Sequence, residues 1–171
     1  MWSKFSYSQH KYFTKSASIT FDSRLDSFVP IKATNNSTSA VFESDNGDIA
    51  VLAQVKGFNF KNSLMQEHFN ESYAESDIYP KSVFNGKIRD WNTIQLSENP
   101  TEVFIEGDLT IHGVKQKITQ PGKIWRSSKS IIGESNFNVE LVDYDVKVPK
   151  VVRSNIAEVI NVNVSVQLNP R

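Results

Sequence analysis

The chain has no cysteine. Disulfides, thiolate metal sites and cysteine nucleophiles are therefore excluded, and the redox compartment leaves no trace in the sequence. Charge of one sign is not in excess either: Lys plus Arg and Asp plus Glu both number 19, and no basic stripe stands out, so nucleic acid is not an expected partner. Apolar runs are only a few residues long, which excludes a transmembrane helix, and the opening residues lack the apolar centre of a signal peptide. The expected location is periplasmic if a signal peptide has been removed, and cytoplasmic otherwise. Histidines are few: His10, His68 and His112 have no second histidine two to four positions on, so no metal site is expected. Phosphate-cradling loops, a nucleophile elbow and an EF-hand spacing are all missing. These absences lead to the expectation of a non-enzymatic protein with no catalytic residue, cofactor or metal.

What is present is period-two alternation. Ala17, Ile19 and Phe21 face one way and Ser18, Thr20 and Asp22 the other, so a strand is read from Ser16 onward. Pro30 marks residues 28–31 as a bent or edge strand, and Asn35-Asn36-Ser37-Thr38 reads as a loop. A hairpin is expected across Ser44–Asp48, where Asn46-Gly47 tolerates positive φ, with Ile49, Val51, Ala53 and Val55 on one face of its second strand. Gly86 reads as a bulge or a close backbone approach rather than a turn. His112-Gly113 reads as a tight turn between two long strands, and Asp143-Tyr144-Asp145 as a corner. The last strand alternates from Ile156 to Leu168. About eight such strands, each apolar on one side only, are best satisfied by an all-β fold closed on itself, an eight-stranded antiparallel lipocalin-like β-barrel. Residues 1–15 are read as an N-terminal extension and 16–171 as a single domain. A barrel of this size is either filled by side chains or holds one small ligand, and the inward small residues Ala17, Ala53, Gly86 and Gly107 lean toward a cavity.

One short helix interrupts the strands, at about residues 63–74. Ser63 and Gln66 have the spacing of a capping box, and Met65, Phe69 and Tyr73 recur with Leu64 on one apolar face. Glu67, Glu71 and Glu75 repeat at i+4, where a solvated outer face is favoured over an acid–base pair. Tyr79 before Pro80 is pushed to extended geometry, so the chain should leave the helix there and enter a strand. The aromatics Phe58, Phe60, Phe69, Tyr73, Tyr79 and Phe84 cluster around this helix. They either plug one end of the core or line the mouth of an apolar tunnel, and both can hold together.

Three stretches resemble signatures of the YceI-like family, the bacterial lipocalin-like polyisoprenoid-binding proteins. They are residues 64–71 with 75–88 (LMQEHFNE and ESDIYPKSVFNGKI), residues 107–115 (GDLTIHGVK) and residues 143–149 (DYDVKVP). The resemblance runs from about Ser16 to Leu168. It implies a barrel around a long apolar cavity that binds an isoprenoid lipid, a polyprenyl phosphate or a quinone-like molecule, in a carrier or storage role; family members are commonly periplasmic. A filled barrel serving as a structural or protein-interaction module is the alternative, and pairing of two barrels into a homodimer stays open. The ligand-binding candidates are the helical-region residues Phe58, Phe60, Leu64, Met65, Phe69, Tyr73 and Tyr79, together with the strand residues Phe84, Ile88, Val103, Ile105, Leu109, Phe137 and Val139. Lys61, His68, Lys81 and His112 are the candidates to orient a head group.

Overall fold

The computed structural model describes residues 10–23, 31–150 and 157–171. The bend expected at Pro30 and the strand start expected at Ile156 lie outside them. The strands are β1 Lys11–Ser23, β2 Ile31–Glu43, β3 Asp48–Gln54, β4 Asn59–Phe60, β5 Lys81–Ile88, β6 Thr101–Ile111, β7 Val114–Ser127, β8 Ser130–Glu140 and β9 Val159–Pro170. Each neighbour is antiparallel in the order β1-β9-β8-β7-β6-β5-β3-β2, and β2 pairs back onto β1. That last pairing closes an eight-stranded barrel and leaves it no long free edge. The two residues of β4 only add to the rim of β2.

The strands form where side chains alternate, and they were misread where the alternation changes phase. In β1, Tyr12 and Thr14 are buried at even positions but Ala17 at an odd one, because a bulge lies between Thr14 and Ala17. The backbone N–H of Ser16 donates to Thr14 Oγ1 there, at 3.1 Å. Hence β1 starts at Lys11 rather than Ser16. In β2 the matching change occurs at Asn35–Thr38, which is strand and not loop. Asn35 is fully buried: its Nδ2 donates to the Gln54 carbonyl at 2.9 Å, and its Oδ1 accepts from the Ser37 N–H at 2.9 Å. A polar side chain thus satisfies the backbone where the ladder shifts.

Both expected turns are present. Gly47 has φ +80° in the β2–β3 turn, where Asn46 Oδ1 accepts from the Asp48 N–H. His112 and Gly113, at φ 51° and 72°, form the two-residue β6–β7 turn. Gly86 pairs with Gly107 in unbroken register, so it marks a close approach and not a bulge. A Cβ at Gly86 would sit 2.2 Å from the Glu106 carbonyl oxygen and 2.5 Å from the Phe84 ring.

One end of the barrel is a solid floor. Tyr12, Phe42, Ile88, Val103, Ile124, Ile131 and Leu168 pack together, and Trp91, Ile94 and Leu96 from the β5–β6 connection press onto them. Trp91 meets Phe42 edge to face at 5.1 Å and donates its indole N–H to the Ser44 carbonyl at 2.7 Å. The single turn Trp91–Thr93 carries no periodicity and so leaves no signal in the sequence. Gly86→Ala is expected to destabilise the barrel by about 1–3 kcal/mol in chemical denaturation, because the added methyl has no room beside the paired strand.

Candidate functional site

At the opposite end the chain crosses the barrel as a helix, α1 Ser63–His68, followed by one π-helical turn, Phe69–Tyr73. Asn62, not Ser63, is the N-cap: its Oδ1 accepts from the N–H groups of Leu64 and Met65 at 2.9 and 3.1 Å. Gln66 does not complete a capping box, because its Oε1 accepts instead from the Phe60 N–H at 3.1 Å and ties the helix to β4. The widening into a π turn has a local cause. Asn70 Nδ2 donates to the Gln66 carbonyl, and the Ala74 N–H reaches back five residues to the Phe69 carbonyl.

This segment lays Leu64, Met65, Phe69 and Tyr73 against the barrel opening. Phe69 packs at 5.1–6.1 Å on Phe21, Phe58 and Phe60, an aromatic corner that holds the helix on β1 and β4. Burial raises the pKa of the Tyr73 hydroxyl above 10.0. Beneath the helix lies a cavity of about 490 Å³, within the roughly 300–1,000 Å³ typical of small-ligand pockets.

Its walls are inward side chains from every long strand. Of the apolar candidates, thirteen line it: Phe58, Phe60, Leu64, Met65, Phe69, Tyr73, Phe84, Ile88, Val103, Ile105, Leu109, Phe137 and Val139. Tyr79 is the exception. It lies behind the wall, its ring 4.5 Å from that of His112 and over Gly113, where a Cβ would come within 2.6 Å of it. Ile160, Val162, Val164 and Val166 of β9 complete the wall; their alternation is clear in the sequence, but they are not among the candidates above. These four are half-buried rather than buried, because they face the hollow and not packed neighbours.

Of the four head-group candidates, His68 and His112 border the cavity, whereas Lys61 and Lys81 are exposed outside it. The His112 ring is buried, its side chain only 8% exposed, and both nitrogens are engaged. Nδ1 lies 3.1 Å from the Tyr144 carbonyl, which can only accept, so Nδ1 carries a hydrogen. Nε2 lies 2.6 Å from Glu75 Oε2. Glu75 therefore leaves the wet row expected for it. Its φ of 45° ends the helical path and turns the carboxylate back toward the barrel, while Glu67 and Glu71 stay exposed. The pair fastens the helical segment to the β6–β7 turn and, through Tyr144, to the corner after β8.

Among the described residues no group of three metal-ligating side chains comes together, and no helix is long and apolar enough to cross a membrane. The YceI-like domain model matches residues 9–168. The chain belongs to the YceI-like family. No curated protein matches this YceI-like chain. Among solved structures it is similar to a polyisoprenoid-binding domain from Saccharophagus degradans implicated in plant cell wall breakdown, at 13% identity and a TM-score of 0.81, covering 95% of this chain and 99% of that one. BcnA of Burkholderia cenocepacia follows at 14% identity and 0.73, over 89% and 95% of the two chains. The YceI protein of Campylobacter jejuni stands at 19% and 0.67, over 86% and 90%. At these identities the likeness is one of fold.

Two predictions concern this YceI-like barrel's mouth. Glu75→Ala removes the half-exposed carboxylate from His112, at a cost of about 1 kcal/mol, so amides of residues 63–79 should exchange roughly fivefold faster in hydrogen-exchange measurements. The Tyr144 hydroxyl has its pKa raised above 10.0, first by burial and then by the neighbouring Asp143 charge. The unfolded chain ionises this tyrosine before the folded one does, so its contribution to stability is complete below pH 10 and is lost as pH rises beyond it. Tyr144→Phe, which keeps the carbonyl bound by His112, should flatten that alkaline loss in denaturation midpoints measured across this range.

Proposed function

We propose that this protein binds one long isoprenoid lipid inside the barrel and acts as its carrier or store. The observation that carries the reading is the hollow upper half: inward valines, isoleucines and phenylalanines of eight strands surround open space instead of one another. Such a surface supplies affinity by burial alone, at roughly 0.8 kcal/mol for each CH₂ group removed from water, with no need of a hydrogen bond. The polyisoprenoid binding named for the Saccharophagus degradans domain, which shares this fold, supports the isoprenoid class over other apolar ligands. A filled barrel working only through its outer surface fits poorly with a cavity of about 490 Å³.

A polyprenyl phosphate and a quinone-like lipid both carry the long apolar chain that such a chamber suits. Exposed Leu64, Ile78 and Val142, at 60%, 66% and 75%, lie in the segments around its mouth and favour exchange with an apolar donor or acceptor, as a carrier requires. The test is native mass spectrometry of the gently purified protein, made in a host that contains polyprenols. A co-purifying species with the mass of a prenyl lipid is the expected result; protein that arrives without any lipid contradicts the proposal.

A further inference from the structure

Gln120 stands at an inward position of β7, in the series Ile118, Gln120, Gly122 and Ile124, whereas Thr119, Pro121 and Lys123 between them are exposed. It borders the cavity and lies opposite Ile105 of β6, close above the packed floor. It lies six positions along the strand from Val114 at the mouth, about 20 Å. The neighbouring polar group is already occupied: Ser135 Oγ donates to the Pro121 carbonyl at 2.7 Å. The carboxamide of Gln120 has no hydrogen-bond partner among the described residues.

Gln120 is half-buried and its amide reaches the open space of the empty chamber; once an apolar chain fills that space, a carboxamide left without a partner costs about 1–3 kcal/mol, where a leucine would cost nothing. It gains that back only from a polar group brought in by a ligand. Glutamine can donate and accept, so a hydroxyl or a ring carbonyl would serve equally. A phosphate would not: Lys123, the cation of β7 that borders this space, is exposed and stands opposite Glu134 of β8, which borders it too, so a buried anion would meet a carboxylate as well as a cation. We infer that Gln120 is an internal anchor for an uncharged oxygen of the lipid, which enters polar end first and leaves its isoprenoid tail toward the helix. The inference rests on the isoprenoid reading above and chooses, within it, a neutral oxygenated lipid and an orientation.

The experiment compares a prenyl alcohol with the hydrocarbon of the same length and unsaturation, titrated into delipidated wild type and Gln120→Leu by calorimetry. Wild type should prefer the alcohol by about fivefold or more. Gln120→Leu should lose that preference while binding the hydrocarbon at least as tightly. In parallel, the side-chain amide resonances of Gln120 in wild type should move on addition of the alcohol and stay in place with the hydrocarbon, which keeps the test open if the variant folds poorly. Equal affinities in wild type with unmoved amide resonances overturn the anchor and leave the carrier reading intact. If neither lipid binds wild type, the isoprenoid reading itself falls, and the anchor with it.

Discussion

Everything in this molecule depends on β1 bonding to both of its neighbours. Its pairings with β2 on one side and β9 on the other turn an eight-stranded sheet into a tube. Without that closure the sheet would present two long edges, and its inward apolar faces would have to collapse on each other. Closure requires the strands to coil sharply, and the phase changes in β1 and β2 are where they do so. Buried Asn35 is thus a structural residue: it holds two neighbouring backbone groups in place where the regular ladder cannot.

Closure alone does not produce a cavity. The lower half is filled because bulky groups arrive from outside the strands, with Trp91, Ile94 and Leu96 supplied by the β5–β6 connection. The upper half is hollow because the inward positions of β9 are β-branched and short. The helix then roofs the space without entering it. Its aromatic corner on Phe21, Phe58 and Phe60 anchors one side, and the Glu75–His112–Tyr144 chain anchors the other. An apolar chamber with a packed floor and a two-point roof is what a long, flexible lipid needs.

How much of this was legible in the residues varies with the physics. Strands β3, β5, β6, β8 and β9 follow from alternation, since one face of each is dry and the other wet, and the Asn46-Gly47 and His112-Gly113 turns follow from their positive φ. The wall residues were legible for the same reason, Phe137 and Val139 as much as Leu109. Asn35–Thr38 was not, because a run of polar residues normally marks a loop, and only tertiary contact shows that Asn35 is buried. The cap moved by one residue, from Ser63 to Asn62, as both side chains can fill that role and the backbone decides. Glu75 kept the spacing of a solvated row, yet one left-handed residue redirected it to a histidine 37 positions away. Gln120 alternates with the outward Lys115, Lys117 and Thr119 and so shares the face of Ile118; that this face borders an empty chamber shows only in the fold.

The central claim is that the space inside the barrel exists to be occupied by an apolar chain. Val164 of β9 borders that space, well above the floor. The decisive measurement is Val164→Trp, read both by thermal denaturation and by binding of a prenyl alcohol. A hollow barrel accepts the indole, so the melting temperature should hold or rise while lipid binding is lost. A melting temperature that falls steeply, with lipid binding unchanged, would mean that the interior is a packed core and that the ligand binds elsewhere.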